Sequence, residues 1–526
     1  MIVVGGGITG AGIARDAALR GLRVALFERS DFGSGTSSRS SRLVHGGVRY
    51  LEHGHLHLVL ESSRERRRLL HIAPHLVRPL AFTWPVYAGA RIRRWKLSAG
   101  LSLYDALALF RNVAPHRRLA PDEVLRDEPN LRADALCGGA RYYDAAADDA
   151  RLVLANVVAA VEQGAVALNY ASVERVSAGR AARGHWVVDV HDMLRDATHR
   201  FHSRSVIFAL GPWSDDIARI LGQNAPVHRS AVLQSLGAHV ALGRKRVGNA
   251  GALTLLAPVD GRVFFVLPAK DLTIATTTES PAHAPVADAR AGRSDVHYLL
   301  AAVNHYFPQA HLQPDDVIAA WAGVRPLAAP PPNAKGALTS ASREHTIAEV
   351  QPGLFVVTGG KLTTYRAMAE EVVDRLAAAF LARFRGAVTQ RVPLPGGELH
   401  DLRAAVEALC LIVGDQAVAE RLVFAYGARW PRVLDRAEPG EMTRIAAGAP
   451  YLLSEVMHAI EREFAVTLAD VLIRRIPLAF EQPDHAVATA TALAATLAQR
   501  FGWSSAETTA LLRDYEAAVE RQFAVE

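Results

Sequence analysis

The sequence predicts an α/β protein whose chain ends in a helical domain. Residues 2–28 follow the order strand, glycine-rich loop, helix, strand and acid. Short strands separated by turns follow between about Ser230 and Thr278, and this pattern indicates an antiparallel sheet inserted into the first fold. Beyond a linker at residues 393–397, the pattern over residues 402–526 is almost entirely helical.

The glycine-rich loop has the spacing of a dinucleotide-binding unit. Gly5 allows a tight turn, Gly7 lets a pyrophosphate approach the backbone, and Gly10 lets the following helix pack against the sheet. The N-terminus of that helix presents N–H groups and a partial positive charge to the phosphates. Glu28 follows at about the usual spacing of 20 residues and can accept hydrogen bonds from a ribose diol. FAD or NAD is therefore favoured over NADP, with a purely structural glycine turn as the alternative.

Size and composition are those of an ordinary globular enzyme. The 526 residues are 50% hydrophobic and 21% charged, enough for two or three domains. The net charge of +6 is too small to indicate nucleic-acid binding, but it is compatible with acidic lipid or an anionic substrate. Cys137 and Cys410 are the only cysteines, so we expect no disulfide framework and no metal site. Because no apolar run reaches about 18 residues and no signal peptide precedes the first strand, we expect a cytoplasmic protein.

A loop rich in serine, glycine and arginine follows the first two strands. Composition alone would make residues 33–50 a linker, but a linker at this place would interrupt the cofactor site. Hydroxyl and backbone N–H groups suit contacts with a pyrophosphate and a ribitol chain. We therefore predict that the loop lines the cofactor site, through Thr36, Ser37, Ser38, Ser41, His45 and Gly46.

Further elements follow from apolar periodicity. Helices are predicted over residues 56–70, 152–161 and 363–385, and strands over 165–176, 186–190, 206–210 and 354–358. Basic residues and a tryptophan at 91–96 precede an apolar helix at 97–110. That combination is typical of a helix on an anionic membrane surface, and equally of a buried helix with a basic entry loop.

Several segments together resemble the FAD-dependent glycerol-3-phosphate dehydrogenases of aerobic bacteria. The His-Gly-Gly-Val-Arg-Tyr and Gly-Gly-Lys-Leu-Thr-Thr-Tyr-Arg runs are the most specific, and the resemblance spans nearly the whole chain. The matching segments are residues 5–13, 35–51, 148–152, 211–213, 323–327, 359–366 and 470–475.

The resemblance implies a fold similar to D-amino-acid oxidase. It comprises an FAD-binding Rossmann-like domain, an inserted antiparallel-sheet substrate domain and a C-terminal helical domain. We place the FAD-binding domain at residues 1–75, 140–229 and 330–390, the substrate or cap region at 76–139 and 230–329, and the helical domain at 397–526.

The resemblance also implies an activity. It is the oxidation of sn-glycerol 3-phosphate to dihydroxyacetone phosphate by hydride transfer to flavin, with electrons passed to a membrane quinone. Such an enzyme of glycerol metabolism would associate peripherally with the anionic inner face of the cell membrane, and a homodimer is compatible with it.

The chemistry of this reaction selects candidate residues. A base of near-neutral pKa suits removal of the hydroxyl proton, and His45 lies beside two glycines where a substrate could approach. The planar guanidinium of arginine suits a phosphate dianion, which points to Arg49, Arg325 and Arg343, with Tyr50 as a hydrogen-bond donor. Lys361 and the helix start at Thr363 could stabilise negative charge on the flavin. The predicted cofactor contacts are completed by Val173, Gly211, Gly360 and Leu362.

Three departures from the family pattern fall in the predicted substrate sheet. Residues 275–278 are Ala-Thr-Thr-Thr instead of Gly-Thr-Thr-Asp, residues 268–269 are Pro-Ala instead of Pro-Trp, and residues 236–238 are Leu-Gly-Ala instead of a Lys-Gly-Ser type. They leave two alternatives open. One is a D-amino-acid-oxidase-like flavin oxidase acting on a related hydroxy acid or amine, with oxygen as acceptor, and the other is a non-catalytic flavin-binding protein.

Overall fold

The computed structural model describes residues 1–48, 51, 54–109, 111–179, 185–222, 232–282, 285–328, 344–379, 385–399, 401–435 and 440–526. Its strands form three sheets. In chain order they are β1 Ile2–Val4, β2 Ala25–Phe27, β3 Leu43–Val44, β4 Val77–Tyr87, β5 Arg117–Leu119, β6 Leu136–Ala147, β7 Val166–Leu168, β8 Ala171–Ala178, β9 Trp186–Asp192, β10 Ala197–Ser203, β11 Val206–Phe208, β12 Val232–Gly243, β13 Ala252–Leu256, β14 Val263–Ala269, β15 Leu272–Thr276, β16 Ser280–Pro281, β17 Val317–Ala328, β18 His345–Gln351 and β19 Leu354–Gly359.

The helices pack against these sheets and make up most of the C-terminal part. A π-helix, Asp470–Arg475, interrupts the last group. In chain order the α-helices are α1 Ile8–Leu19, α2 Leu56–Ile72, α3 Arg94–Leu107, α4 Pro121–Asp127, α5 Asp149–Glu162, α6 Asp216–Leu221, α7 Arg244–Val247, α8 Arg293–Tyr306, α9 Tyr365–Ala379, α10 Leu402–Val413, α11 Gln416–Tyr426, α12 Pro431–Leu434, α13 Leu453–Arg462, α14 Val487–Phe501 and α15 Ser505–Phe523.

The nucleotide-binding unit is a six-stranded sheet in the order β18-β19-β11-β1-β2-β7. All its neighbouring strands are parallel except β18, which runs antiparallel to β19. Alternate residues of the short central strands face opposite sides. Val3 and Ile207 pack toward α1, α5 and α9, whereas Val4 and Phe208 pack toward the three-stranded sheet β8-β9-β10. Both faces are therefore buried, which explains why these strands are continuously apolar.

The second large sheet has ten strands and carries the other wall of the site. Its order is β16-β12-β15-β14-β13-β4-β6-β3, with β17 also paired to β12 and β5 to β6. The predicted antiparallel pattern holds except between β4 and β13, which are parallel. Strand β3 belongs to the serine-rich loop and pairs with β6, so the loop joins the two large sheets.

Most predicted elements are confirmed, and one strand needs correction. The strand predicted over residues 165–176 is two strands in different sheets, because Tyr170 adopts a left-handed backbone (φ 56°) and turns the chain between them. The predicted linker is packed in place: Leu394 is fully buried and its N–H donates to the carbonyl of Ile72 at 2.8 Å. The last predicted helix starts as α9 after a 3-10 turn, and residues 380–384 lie outside the described part.

Within the described residues, no helix combines the length and the apolar character needed to cross a membrane. The same part of the chain holds no group of three or more His, Cys, Asp or Glu side chains that could bind a metal ion. The division of the chain into the three predicted domains stays a prediction.

Candidate active site

A cavity of about 840 Å³ lies between the carboxyl ends of the parallel strands, the β12–β17 pair and the C-terminal helices. It brings together residues of the six-stranded sheet, the ten-stranded sheet and the C-terminal helices. Gly10, Ser38 and Gly46 are not among its lining residues. Arg49, Tyr50 and Arg343 lie outside the described residues. The predicted site residues that line the cavity are Gly5, Gly7, Glu28, Thr36, Ser37, Ser41, His45, Val173, Gly211, Arg325, Gly360, Lys361, Leu362 and Thr363.

The glycine loop is shaped by close backbone contacts. Gly5 has a φ of +105°, and a Cβ there would come within 2.6 Å of the carbonyl oxygen of Ala209. A Cβ at Gly10 would be 1.9 Å from the carbonyl oxygen of Gly5. Gly7 is different, because its only near neighbour would be Ser37 Oγ at 3.4 Å, so its α-carbon borders the cavity. The start of α1 therefore presents backbone to the cavity with room for a ligand.

Glu28 braces this loop from the end of β2. Its carboxylate accepts hydrogen bonds from the N–H groups of Gly6 (2.6 Å) and Ser30 (2.9 Å). Burial raises the pKa of Glu28 above its ordinary value, although the two N–H donors and Arg29 oppose that shift. The carboxylate thus holds two turns of the cavity wall together.

The serine-rich loop follows the cavity from the glycine loop to the second sheet. The N–H of Ile8 donates to Ser37 Oγ at 3.0 Å, and Thr36 Oγ1 donates to the carbonyl of Val324 at 2.6 Å. Ser41 Oγ lies 3.2 Å from His239 Nε2 and 3.1 Å from Thr276 Oγ1. Hydroxyl groups therefore line the path between the two large sheets.

His45 and Gly46 are held by main-chain hydrogen bonds. The N–H of His45 donates to Thr363 Oγ1 at 3.2 Å, and the N–H of Gly46 donates to the buried Asp144 Oδ1 at 3.0 Å. A Cβ at Gly46 would come within 2.2 Å of Tyr104 Oη, so only glycine fits there. These contacts hold the backbone at residues 45 and 46 in place, and so they position His45 at the edge of the cavity.

Arg325 and Lys361 place positive charge on the same cavity. Arg325 Nη2 donates to Thr277 Oγ1 at 2.6 Å, and its Nη1 to the carbonyl of Thr278 at 3.4 Å. Lys361 Nζ lies 3.5 Å from Ser62 Oγ, just before the 3-10 turn that leads into α9. Two of the three departures from the family pattern, at residues 236–238 and 275–278, therefore surround the Arg325 guanidinium.

Two further residues that line the cavity, His239 and Arg39, were not predicted from the sequence. His239 is buried on β12 and stacks on Trp321 with ring centroids 5.3 Å apart. Burial, followed by the charge of Arg325, lowers the pKa of His239 to about 3, so the ring is neutral. Burial, followed by Arg474 and Arg521, lowers the pKa of Arg39 to about 10. Each residue has a feature in the sequence that could have indicated it. His239 is a lone polar residue in an apolar strand, and Arg39 is an arginine inside the serine-rich loop.

The lining of the cavity suits an elongated, anionic dinucleotide. Backbone at the start of α1, a row of hydroxyl groups and the open space at Gly7 supply contacts for phosphates and a polyol chain. Basic side chains outnumber carboxylates among the described lining residues. The basic ones are Arg29, Arg39, Arg219, Arg325, Lys361, Arg474 and Arg521, and the acidic ones are Glu28, Asp31, Asp216 and Asp514.

Fold and cavity together define a flavin-type oxidoreductase, and comparison with known proteins identifies the family. Residues 1–375 match the family described as FAD dependent oxidoreductase, and residues 387–508 match the C-terminal domain of alpha-glycerophosphate oxidase. The chain belongs to the FAD-dependent oxidoreductases, and its cofactor is FAD.

Similar proteins cover the chain from end to end. A glycerol-3-phosphate dehydrogenase of Synechocystis is 34% identical over 541 residues, covering 99% of this chain and 96% of the relative. One of Mycobacterium leprae is 35% identical over 533 residues, covering 99% and 88%. The crystal structure of the glycerol-3-phosphate dehydrogenase from Bacillus halodurans in complex with FAD superposes with a TM-score of 0.79 at 30% identity, covering 99% of this chain and 94% of that one.

Proposed function

We propose that the protein oxidises sn-glycerol 3-phosphate to dihydroxyacetone phosphate and passes the electrons to a membrane quinone. The observation that carries the proposal is Arg325, which presents a guanidinium to the same cavity that His45 and Lys361 border. The names of the full-length relatives support the same substrate. Arg49 and Arg343 complete the phosphate site in this proposal, and Tyr50 donates a hydrogen bond to the substrate.

Each residue has a defined task in the reaction. When bound, FAD supplies the acceptor for the hydride that leaves carbon 2 of the substrate. His45 takes the proton from the hydroxyl on that carbon, as a neutral imidazole can near pH 7. Arg325 orients the substrate through its phosphate, since a planar guanidinium can bind two phosphate oxygens at once. Lys361 adds positive charge to the cavity and would stabilise the negative charge of the reduced flavin.

The cofactor contacts that we propose follow the cavity wall. The start of α1 and Ser37 take the pyrophosphate, and Glu28 takes the adenosine ribose. Hydroxyl groups between Ser37 and Ser41 take the ribitol, and the 359–363 segment takes the flavin ring together with His45.

Contact with an anionic membrane surface is the second part of the proposal. Helix α3 buries Leu97, Leu101 and Tyr104, while Trp95 is 69% exposed. Leu103 and Leu109 are also exposed on or just beyond the helix. Five basic residues close to these apolar residues in the sequence are also exposed, namely Arg91, Arg93, Arg94, Lys96 and Arg111. Exposed tryptophan and leucine with exposed basic side chains close by in the sequence suit a surface of acidic lipid headgroups, and the quinone is dissolved in the lipid beneath that surface.

The visible spectrum of the purified holoenzyme tests the substrate. Under anaerobic conditions, glycerol 3-phosphate should bleach the flavin absorbance within seconds, while lactate and D-alanine should leave it unchanged. Bleaching by the hydroxy acid or the amine alone would favour the oxidase alternative. A spectrum that stays oxidised with all three compounds would favour a non-catalytic flavin protein.

The electron acceptor is tested on the reduced enzyme. We expect a short-chain ubiquinone to reoxidise it at least about tenfold faster than air-saturated buffer does, which corresponds to about 1.4 kcal/mol in barrier height. Faster reoxidation by oxygen would make the protein an oxidase.

A further inference from the structure

We infer that Arg474 and Arg475 of the C-terminal helical part position the cofactor-binding loop at residues 28–33 through Asp31. The inference needs the FAD site but not the proposed substrate. It assigns a role to the Asp-Val-Leu-Ile-Arg-Arg segment at residues 470–475, which takes no part in the proposed reaction. Neither arginine has to touch the reacting atoms, so both are positioning residues.

Asp31 is bound from three sides in the interior. Arg475 Nη2 donates to Asp31 Oδ1 at 2.8 Å, and Arg475 Nη1 and Arg474 Nε both donate to Oδ2. Asn169 Nδ2 donates to Oδ1 at 3.2 Å. The side chains of Asp31 and Arg475 are fully buried, and that of Arg474 is 9% exposed. A carboxylate with this many charged donors has essentially one position.

The position of Asp31 determines the shape of the cofactor loop. One residue earlier, the N–H of Ser30 donates to the Glu28 carboxylate. Two residues later, the N–H of Gly33 donates to the carbonyl of Gly6 at 3.0 Å. Gly6 in turn donates to Glu28. A displacement of Asp31 would therefore disturb both the carboxylate proposed for the ribose and the glycine loop proposed for the pyrophosphate.

The two arginines are themselves held from the C-terminal side. Arg475 donates to the carbonyl of Glu463 through Nη2 (2.5 Å) and Nε (3.2 Å), and Arg474 pairs with Asp470. Asp470 also accepts from the N–H groups of residues 466 and 467 and from the Tyr170 hydroxyl. Two cations and two anions thus form one buried network that joins the π-helix to the nucleotide-binding unit.

A second buried ion pair between the same parts of the chain supplies a matched control. Arg151 on α5 binds both carboxylate oxygens of Glu463, at 3.0 and 2.5 Å. Arg151 is also buried, but it does not line the cofactor cavity and makes no hydrogen bond to the loop at residues 28–33. Loss of either Arg151 or Arg475 weakens the packing between the two parts, but of these two arginines Arg475 binds Asp31 and Arg151 does not.

The experiment measures FAD affinity of the apoprotein by fluorescence titration for Arg475→Met and Arg151→Met. We expect the dissociation constant to rise at least about tenfold for Arg475→Met and less than about twofold for Arg151→Met. Arg475→Lys, which keeps the charge, should recover part of the loss. Equal losses in both Met variants, or no loss in Arg475→Met, would overturn the inference.

A measurement on the wild-type protein decides the question if Arg475→Met does not fold. Coupling between two sites is reciprocal, so FAD must stabilise the C-terminal contacts if those contacts stabilise FAD. Amide hydrogen exchange in α13, which does not line the cavity, should slow severalfold when FAD is added. Unchanged exchange in α13 would overturn the inference, whatever glycerol 3-phosphate does to the spectrum.

Discussion

The guanidinium of Arg325 lies directly over Gly237. A Cβ at residue 237 would come within 2.0 Å of Arg325 Nη2, closer than any two such atoms can approach. The two residues are on neighbouring strands, since Ser235 of β12 pairs with Arg325 of β17. The Arg325 guanidinium can occupy its position only because Gly237 has no side chain.

Gly237→Ala is expected to displace Arg325 without unfolding the strand. We predict a loss of about 2–3 kcal/mol of transition-state stabilisation, measured as a lower kcat/KM for glycerol 3-phosphate, because the charge-assisted contact of Arg325 with the phosphate is disturbed. FAD affinity should be unchanged. The matched control is Gly243→Ala at the end of the same strand, where the nearest atom to the new Cβ would be Arg246 Cβ at 3.9 Å. Equal kinetics in the two variants would contradict the role of Gly237.

Removal of the Arg325 guanidinium should lower kcat/KM by a similar amount. For Arg325→Ala we predict a loss of at least about 2–3 kcal/mol of substrate binding or transition-state stabilisation, seen in kcat/KM. Arg246→Ala removes a half-exposed arginine that pairs with Asp316 outside the cavity, and should leave kcat/KM unchanged. Unaltered steady-state kinetics of Arg325→Ala would remove that residue from the site.

Glu28→Ala should weaken FAD binding while the fold persists. The substitution leaves the N–H groups of Gly6 and Ser30 without their acceptor, at a cost of about 1–3 kcal/mol each if they stay buried. We expect at least a roughly tenfold rise in the FAD dissociation constant, with an unchanged far-UV circular dichroism spectrum. Glu407→Ala, which removes an exposed carboxylate on α10 that pairs with Arg403, serves as the control. Full flavin loading after dilution would contradict the prediction.

Asp149 should make stability depend on pH. It accepts hydrogen bonds from Ser40, and burial raises its pKa from 3.8 to about 6. Between those values the folded state binds more protons than the unfolded state, so the contribution of Asp149 falls as pH rises from about 4 to about 6. The full difference corresponds to about 3 kcal/mol.

The measurement compares the free energy of unfolding of Asp149→Asn with that of the wild type at several pH values. The variant has no carboxyl to titrate, so its stability relative to the wild type should increase from about pH 4 to 6 and stay constant above. Asp122→Asn, on an exposed helix, should show no such trend. A relative stability that falls over this range would show that the carboxylate is stabilised at this position.

The membrane surface of α3 is tested by its charge. Lys96→Gln should weaken binding to vesicles containing phosphatidylglycerol by about fivefold, the effect of about 1 kcal/mol per basic residue near an acidic surface. Binding to purely zwitterionic vesicles should not change. Lys245→Gln, which removes an exposed lysine on α7, is the control. A similar loss in both variants would indicate a general charge effect instead of a surface on α3.

The nucleotide-binding unit could be predicted because its signals are local. The order of strand, glycine loop, helix and acid within residues 2–28 needs no distant partner, and Gly5 and Gly10 stand where close backbone contacts require them. The same reasoning failed at residues 165–176. An apolar run indicates that a strand is buried but does not indicate which sheet the strand joins. The turn at Tyr170 contains no glycine, so the sequence does not predict it.

The sequence by itself determined the class of cofactor, the main elements and several candidate side chains, because these depend on short-range order and residue chemistry. Only the tertiary structure decided which of them meet. In the folded chain His239 contacts Ser41, and the Arg325 guanidinium lies over Gly237. Arg474 and Arg475 bind Asp31, which is more than 400 residues away along the chain. Contacts of that kind depend on how sheets and helices pack, and no local pattern in the chain encodes them.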